Sequence, residues 1–450
     1  MASPDLLNHP IRPTLLRMTI PMMLGIVSLM LFNLVDIYFV SMLGTEQMAS
    51  LAFTFPVTFS VVSLAIGFGI GTSATLARLI GAGNHEQAAV LASDNLLMTL
   101  LMVFLFSLAA QWVMVPLFRL LGADDLHLGY IMEYMSVWWF GAVFMVTNMV
   151  ANSTLRARGD TKTPALVMAV SSVMNVVLDP LFIFGWGPIP AMGIKGAALA
   201  SVLAWATIFV YVLVVLYKKY QLITLIAPVF SRIWMHWRSV MTIGLPAALS
   251  NMMTPVAGGV LTAFVAHHGT EAVAAFGVGN RLESLSLLAC LALSMTLPPF
   301  ISQNYGAGQI DRVKTAYKGA ILFALGWQFL IFLVLLLLKS PIAELFAESD
   351  EVRAPLLLWL TIVPLGFGMQ AVIFLSASTF NALHLPMRAM RISILRLFVF
   401  YIPLAWITNM LWGLEGMFIA FVVANALTAF IAFRWVTRSL EEKANIKQSS

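Results

Sequence analysis

The chain has 450 residues, of which 60% are hydrophobic and only 10% charged, and its mean hydropathy is +0.92. A soluble domain is about 25% charged, so this chain lacks the polar surface to cover itself in water. Its net charge of +5 comes from basic residues scattered over short connections, which positive-inside topology explains without a nucleic-acid partner, and its one cysteine, Cys290, excludes an internal disulfide or a cysteine-built metal site.

Apolar windows long enough to cross about 30 Å of hydrocarbon recur along the whole length. Charged or Gly/Pro-rich breaks divide them into twelve spans centred near residues 28, 63, 106, 140, 175, 205, 250, 285, 328, 366, 400 and 425. The first follows "MASPDLLNHPIRPTLLR"; it is too long for a signal-peptide core, has no small-residue cleavage signal close behind it, and reads as a retained span.

In that span "LFNLVDIYFV" (31–40) places Asp36 in a run otherwise charge-free from Thr19 to Thr45, with Asn33 three residues earlier on the same helical face. A charge in an apolar setting is costly, so intramembrane ionisable groups read as functional sites by default. The fourth span adds Asn148 and Asn152 as candidates for lining a cavity. In the fifth, "SVMNVVLDPLFIFG" stacks Asn175 on Asp179, and Pro180 loosens the helix beside the carboxylate. Arg281 and Glu283 in the eighth span could be a static buried ion pair or line a cavity. Gln370 in the tenth is a further cavity candidate, and Arg391 and Arg396 in the eleventh either face a cavity or snorkel to the boundary.

The connections carry a topology signal. If the N terminus and the even-numbered loops share one side, that side collects about 19 Lys and Arg, and the other only Arg119, Lys195, Lys339 and Arg353. The acidic run Glu344, Glu348, Asp350 and Glu351 falls on the poorer side. This bias predicts both termini in the cytoplasm of a cell whose inner membrane holds the protein.

The chain also repeats itself. "MTIPMM" (18–23) is echoed by "MTIGLPAA" (241–248), aligning Pro21 with Pro246, and the same offset brings Gly44-Thr45-Glu46 onto Gly269-Thr270-Glu271 and Gly81-Ala82-Gly83 onto Gly306-Ala307-Gly308. "GIKGAALASVLA" (193–204) faces "GLEGMFIAFVVA" (413–424). Six spans per half make this a parallel repeat, related about the membrane normal. The expectation is an all-α polytopic membrane protein, with twelve transmembrane helices in two pseudo-symmetric six-helix bundles around a central cavity. The lobes run over 1–220 and 241–450, and 221–240 forms an inner-surface connector. The bundles are expected to alternate access as a monomer, since each chain already contains both.

The polar residues are unevenly shared. The C-terminal repeat has Leu261 opposite Asp36, and Leu397 and Phe398 around the position of Asn175, so the N-terminal bundle is expected to carry a coupling ion. A carboxyl group titrates near 4; burial and a second carboxylate raise that value, so Asp36 and Asp179 could exchange a proton as a coupled unit. A Na⁺ site uses the same oxygen ligands in ionised form, and these residues admit either ion. Neither a cofactor nor a metal is called for.

With these motifs in view, the chain resembles the multidrug and toxic compound extrusion (MATE) transporters, above all their prokaryotic DinF-like branch. The resemblance rests on "LFNLVDIYFVSMLGTEQMAS", "GIGTSATLARLIGAGNHEQA", "RARGDTKTPALVMAVSSVMNVVLDPLFIFG", "GTEAVAAFGVGNRLESLSLL" and "SQNYGAGQIDRV", in that order over nearly the whole chain. It implies a twelve-helix exporter of amphipathic and cationic drugs driven by inward H⁺ or Na⁺. It further implies a cation site at Asp36, Asn175 and Asp179, completed by Tyr134 and Ser201, with Pro21 as the hinge at which the first helix bends. The NorM-like branch uses acidic residues in the seventh and tenth helices; this chain offers Asn251, Thr254 and Gln370 there, which argues against that C-lobe Na⁺ site. Two other readings remain: a flippase for lipid-linked precursors, for which only Arg281, Arg391 and Arg396 supply cavity cations, and a Na⁺-coupled drug antiporter. An intramembrane enzyme lacks a nucleophile–base pair within the spans.

Overall fold

In hydrocarbon every backbone N–H and C=O must be satisfied internally, and among the described residues the membrane-crossing segments meet that demand as helices. The structure, a computed structural model, describes residues 5–224, 229–347 and 349–448. Glu348 of the acidic run and residues 225–228 of the connector lie outside the described residues.

The helices of the N-terminal repeat are α1 (Ile11–Ser41), α2 (Thr45–Gly81), α3 (His85–Leu120), α4 (Asp125–Ala157), α5 (Lys162–Ile183) and α6 (Gly193–Val214). Those of the C-terminal repeat are α7 (Phe230–Ala266), α8 (Thr270–Ser286), α9 (Leu288–Gly306), α10 (Ile310–Leu337), α11 (Lys339–Phe346), α12 (Asp350–Ile362), α13 (Phe367–Ala382), α14 (Pro386–Ile394) and α15 (Ile402–Gln448). Ten helical stretches are long and apolar enough to cross a membrane; the pair α8–α9, bent by 45°, makes an eleventh. The last stretch, Pro386–Asn445, is 60 residues long and breaks at Gly413, whose φ of 59° and ψ of −142° are not helical. One crossing needs only about 20 residues, so this stretch crosses twice and the twelve expected spans are all present.

Two compact units result, each cutting through a helix: Ile20–Ala248, and Asp5–Thr19 together with Leu249–Ser450. The first nine residues of α1 therefore belong to the second unit, and the first half of α7 to the first. The first unit is centred on clusters around Trp138 and Trp139 and around Leu76, Leu91 and Val150. The second has one large core, whose bulkiest buried side chains include Trp359, Tyr317, Phe300 and Phe367.

The sequence repeat is also a repeat of backbone geometry. Gly44 and Gly269 precede α2 and α8 with φ of 130° and 104°, a region closed to side chains with a Cβ. The turns after α2 and α9 carry the same hydrogen bonds, from Ala82 N to Arg78 O and Asn84 N to Leu79 O, and from Ala307 N to Gln303 O and Gln309 N to Asn304 O. A helix crossing is repeated as well. In the first unit α2 meets α7 through Gly67, Gly71 and Gly244: a Cβ on Gly71 would lie 2.3 Å from the Val240 carbonyl oxygen. The residues 225 positions away are Thr296 and Thr19 in the second unit, whose buried hydroxyls hydrogen-bond at 2.9 Å.

Candidate functional site

The polar centre of the first unit is built on α5. Asn175 and Asp179, one turn apart, are both fully buried, and the Asn175 Nδ2 donates to Asp179 Oδ1 at 2.9 Å. The same amide reaches Ser201 Oγ on α6 at 3.3 Å. Asp36 on α1 and Tyr134 on α4 are half-buried; the charge of Asp36 acts on Asp179, and both carboxylates act on Tyr134. Hydrogen bonds thus join Asn175, Asp179 and Ser201, and Asp36 and Tyr134 lie within electrostatic reach of them.

Its chemistry follows from what is unmatched. Asn175 Oδ1 and Asp179 Oδ2 are buried acceptors without a donor, and among the described residues neither Asp36 nor Asp179 has a basic partner. A buried acceptor left unsatisfied costs about 1–3 kcal/mol, and more if charged. A proton on Asp179 would turn an orphaned acceptor into a donor, and a small cation would satisfy both oxygens. No cluster of three His, Cys, Asp or Glu able to hold a metal occurs among the described residues.

Not every residue singled out from the sequence joins this group. Asn33 is exposed and its amide donates to the Leu29 carbonyl at 3.0 Å, so the expected shared face with Asp36 does not give Asp36 an amide partner. Asn148 and Asn152 are buried and hydrogen-bonded to each other at 3.2 Å, but on α4 they lie 14 and 18 residues beyond Tyr134, about 21 Å or more along the axis. Pro21 lies inside α1, which runs unbroken from Ile11 to Ser41. Lacking an N–H, it leaves the Arg17 carbonyl without its usual intrahelical donor, and the division between the two units falls one residue before it.

The second unit is less bare than the sequence suggested. Glu283 on α8 does not pair with the exposed Arg281, because residues two apart on a helix do not face each other. Instead Glu283 Oε1 accepts from the Gln370 amide on α13 at 2.8 Å. It also feels the charge of Arg396, which donates through Nε to Asn425 Oδ1 at 2.9 Å and stacks over the Phe374 ring. Arg396 and Tyr401 lie on a π-helical segment, Leu395–Tyr401, a form concentrated at functional sites. Asn425 and Tyr401 were missed; the signal for Asn425 was one amide in the apolar run "FVVANALTAF".

The chain matches the MatE family model over residues 21–181 and 246–407, the two halves of the repeat. It is 38% identical over 436 residues to a FAD transporter of Shewanella oneidensis, covering 97% of this chain and 96% of that one. To the multidrug export protein MepA of Staphylococcus aureus it is 24% identical over 427 residues, covering 94% and 93%. The crystal structure of the MATE transporter VcmN of Vibrio cholerae in the bent form aligns with a TM-score of 0.91 at 34% identity, covering 96% of this chain and 98% of that one.

Proposed function

The chain belongs to the MATE family, and from that premise we propose that it is a secondary active exporter: an antiporter driven by inward H⁺ through Asp36 and Asp179, by alternating access. The observation that carries the coupling is the buried Asp179 carboxylate, with one oxygen held by Asn175 and the other unmatched. Neither carboxylate has a basic partner among the described residues, which suits a group that binds a cation, and Na⁺ coupling is the near alternative. The distribution of Lys and Arg supports both termini in the cytoplasm and placement in the inner membrane.

The substrate reading has two forms. Amphipathic and cationic drugs are supported by likeness to multidrug exporters such as MepA. Export of a flavin dinucleotide is supported by higher identity, 38% over 97% of the chain, to a protein named for FAD. Efflux from proteoliposomes separates them, with ethidium in one set and FAD in another, under ΔpH and ΔNa⁺ imposed separately. Efflux driven by ΔpH in the parent and lost in Asp36→Asn supports the proposal, and the cargo that moves names the class. Efflux that needs only Na⁺ replaces the ion. Proton-driven efflux that survives Asp36→Asn overturns the assigned coupling site. Movement of neither cargo under any gradient points to the lipid-precursor flippase.

A further inference from the structure

Away from these clusters, α14 and the C-terminal part of α15 border an open cavity of about 270 Å³ lined by Arg388, Arg391, Trp435, Arg438 and Glu442. Three guanidinium groups against one carboxylate leave it with a net positive charge. Two of the cations are partly engaged: Arg388 donates to Ser439 Oγ, and Arg438 pairs with Glu442 at 3.3 Å, where both side chains are more than half exposed. Arg391 is exposed and has no ion-pair or hydrogen-bond partner among the described residues. Topology accounts for basic residues at this end, but three guanidinium groups around one cavity also present planar forks that match phosphate oxygens in bidentate fashion.

The surroundings say what carries the phosphate. On α15, Val423, Leu427 and Phe430 are exposed at successive turns, and Arg434 and Arg438 continue the same face. Arg434 lies over the Phe430 ring at 4.8 Å. One helix face thus passes from apolar to basic at the depth where Trp435 lines the cavity, as at a membrane boundary where Trp residues anchor. A soluble phosphate compound would have no use for the apolar track; a lipid has chains to lay along it. By the charge bias of the loops, this end is the cytoplasmic one, where anionic lipids are read by basic pockets between helices.

We propose that this cavity binds the phosphate of an anionic phospholipid of the inner leaflet, with Arg388, Arg391 and Arg438 as its ligands and the Val423–Phe430 face as the bed for its chains. Glu442 tempers the affinity by holding Arg438. The test uses the purified full chain and counts retained lipid by native mass spectrometry, with phosphatidylglycerol, phosphatidylcholine and inorganic phosphate as separate probes. Phosphatidylglycerol should bind in preference to phosphatidylcholine, and Arg391→Ala with Arg438→Ala should weaken it about 30-fold, at about fivefold per basic residue near a membrane surface. Glu442→Gln should tighten it about fivefold, a gain that misfolding cannot produce. Equal retention of phosphatidylglycerol by the parent and the double variant overturns the proposal, as does equal retention of the two lipids. Displacement of the lipid by inorganic phosphate alone would assign the site to a soluble phosphate compound instead.

Discussion

The two units solve the same problems with different side chains. Where α2 crosses α7, Gly67, Gly71 and Gly244 let backbones touch; where α9 crosses the start of α1, Thr296 and Thr19 join by hydroxyls. Both are small-residue crossings suited to a medium in which apolar burial gives no driving force between helices. The polar centres diverge further. The first unit holds Asp36 within electrostatic reach of Asp179 with no basic partner for either among the described residues, whereas the second surrounds Glu283 with the Gln370 amide and the charge of Arg396. Under the proposed function, the second centre is the structural one and the first is the one that takes up the coupling ion.

That contrast should break or sharpen under substitution. The largest expected effect is on transport: Asp179→Asn abolishes gradient-driven efflux from proteoliposomes while the protein still inserts. Glu283→Gln keeps coupling and loses about 1–2 kcal/mol of stability. If Glu283→Gln also abolishes coupling, the second unit carries the ion too and the contrast fails.

Next come the crossings. Gly71→Ala forces a methyl group into the Val240 carbonyl and should cost about 2 kcal/mol, read as a lower thermal midpoint in detergent. Thr296→Val exchanges only the hydroxyl for a methyl group and should cost about 0.6 kcal/mol. Equal losses would mean that closeness of the backbones is not what the glycines supply.

The smallest effect lies outside the membrane, at Asp160 between α4 and α5. Burial works to raise its pKa, but hydrogen bonds from Thr163 N and Oγ1 and from the Tyr220 hydroxyl, with Lys219 at 3.5 Å, outweigh burial and hold the carboxyl below its usual range. A depressed carboxylate contributes stability above its unfolded value of about 3.9 and loses it as pH falls through the folded one. Asp160→Asn should therefore cost about 0.5 kcal/mol near neutral pH and flatten the loss of thermal midpoint on acidification below about pH 4. An unchanged acid limb would show that these donors do not set it.

How much of the site was legible follows from spacing. Asn175 and Asp179, four apart with Pro180 next, could be paired from the sequence because one helical turn puts them in register. Asn33, three from Asp36, met the same criterion and failed, since periodicity orders residues on a helix but not which face meets a neighbour. The ion-pair reading of Arg281 and Glu283 failed for the opposite reason: closeness in sequence is not adjacency on a helix.

By itself the sequence determined the twelve spans and the two-fold repeat, including the backbone turns at Gly44 and Gly269, because hydropathy, helix length and positive φ are local properties. It also determined that carboxylates must lie within the spans, since Asp36 and Asp179 interrupt apolar runs. Only the tertiary structure decided that α1 and α7 are each divided between the units, that Glu283 answers to Gln370 and Arg396, and that the arginines of α14 and α15 share one cavity. Those outcomes depend on helix packing, which joins residues tens to hundreds of positions apart and leaves no periodic trace along the chain.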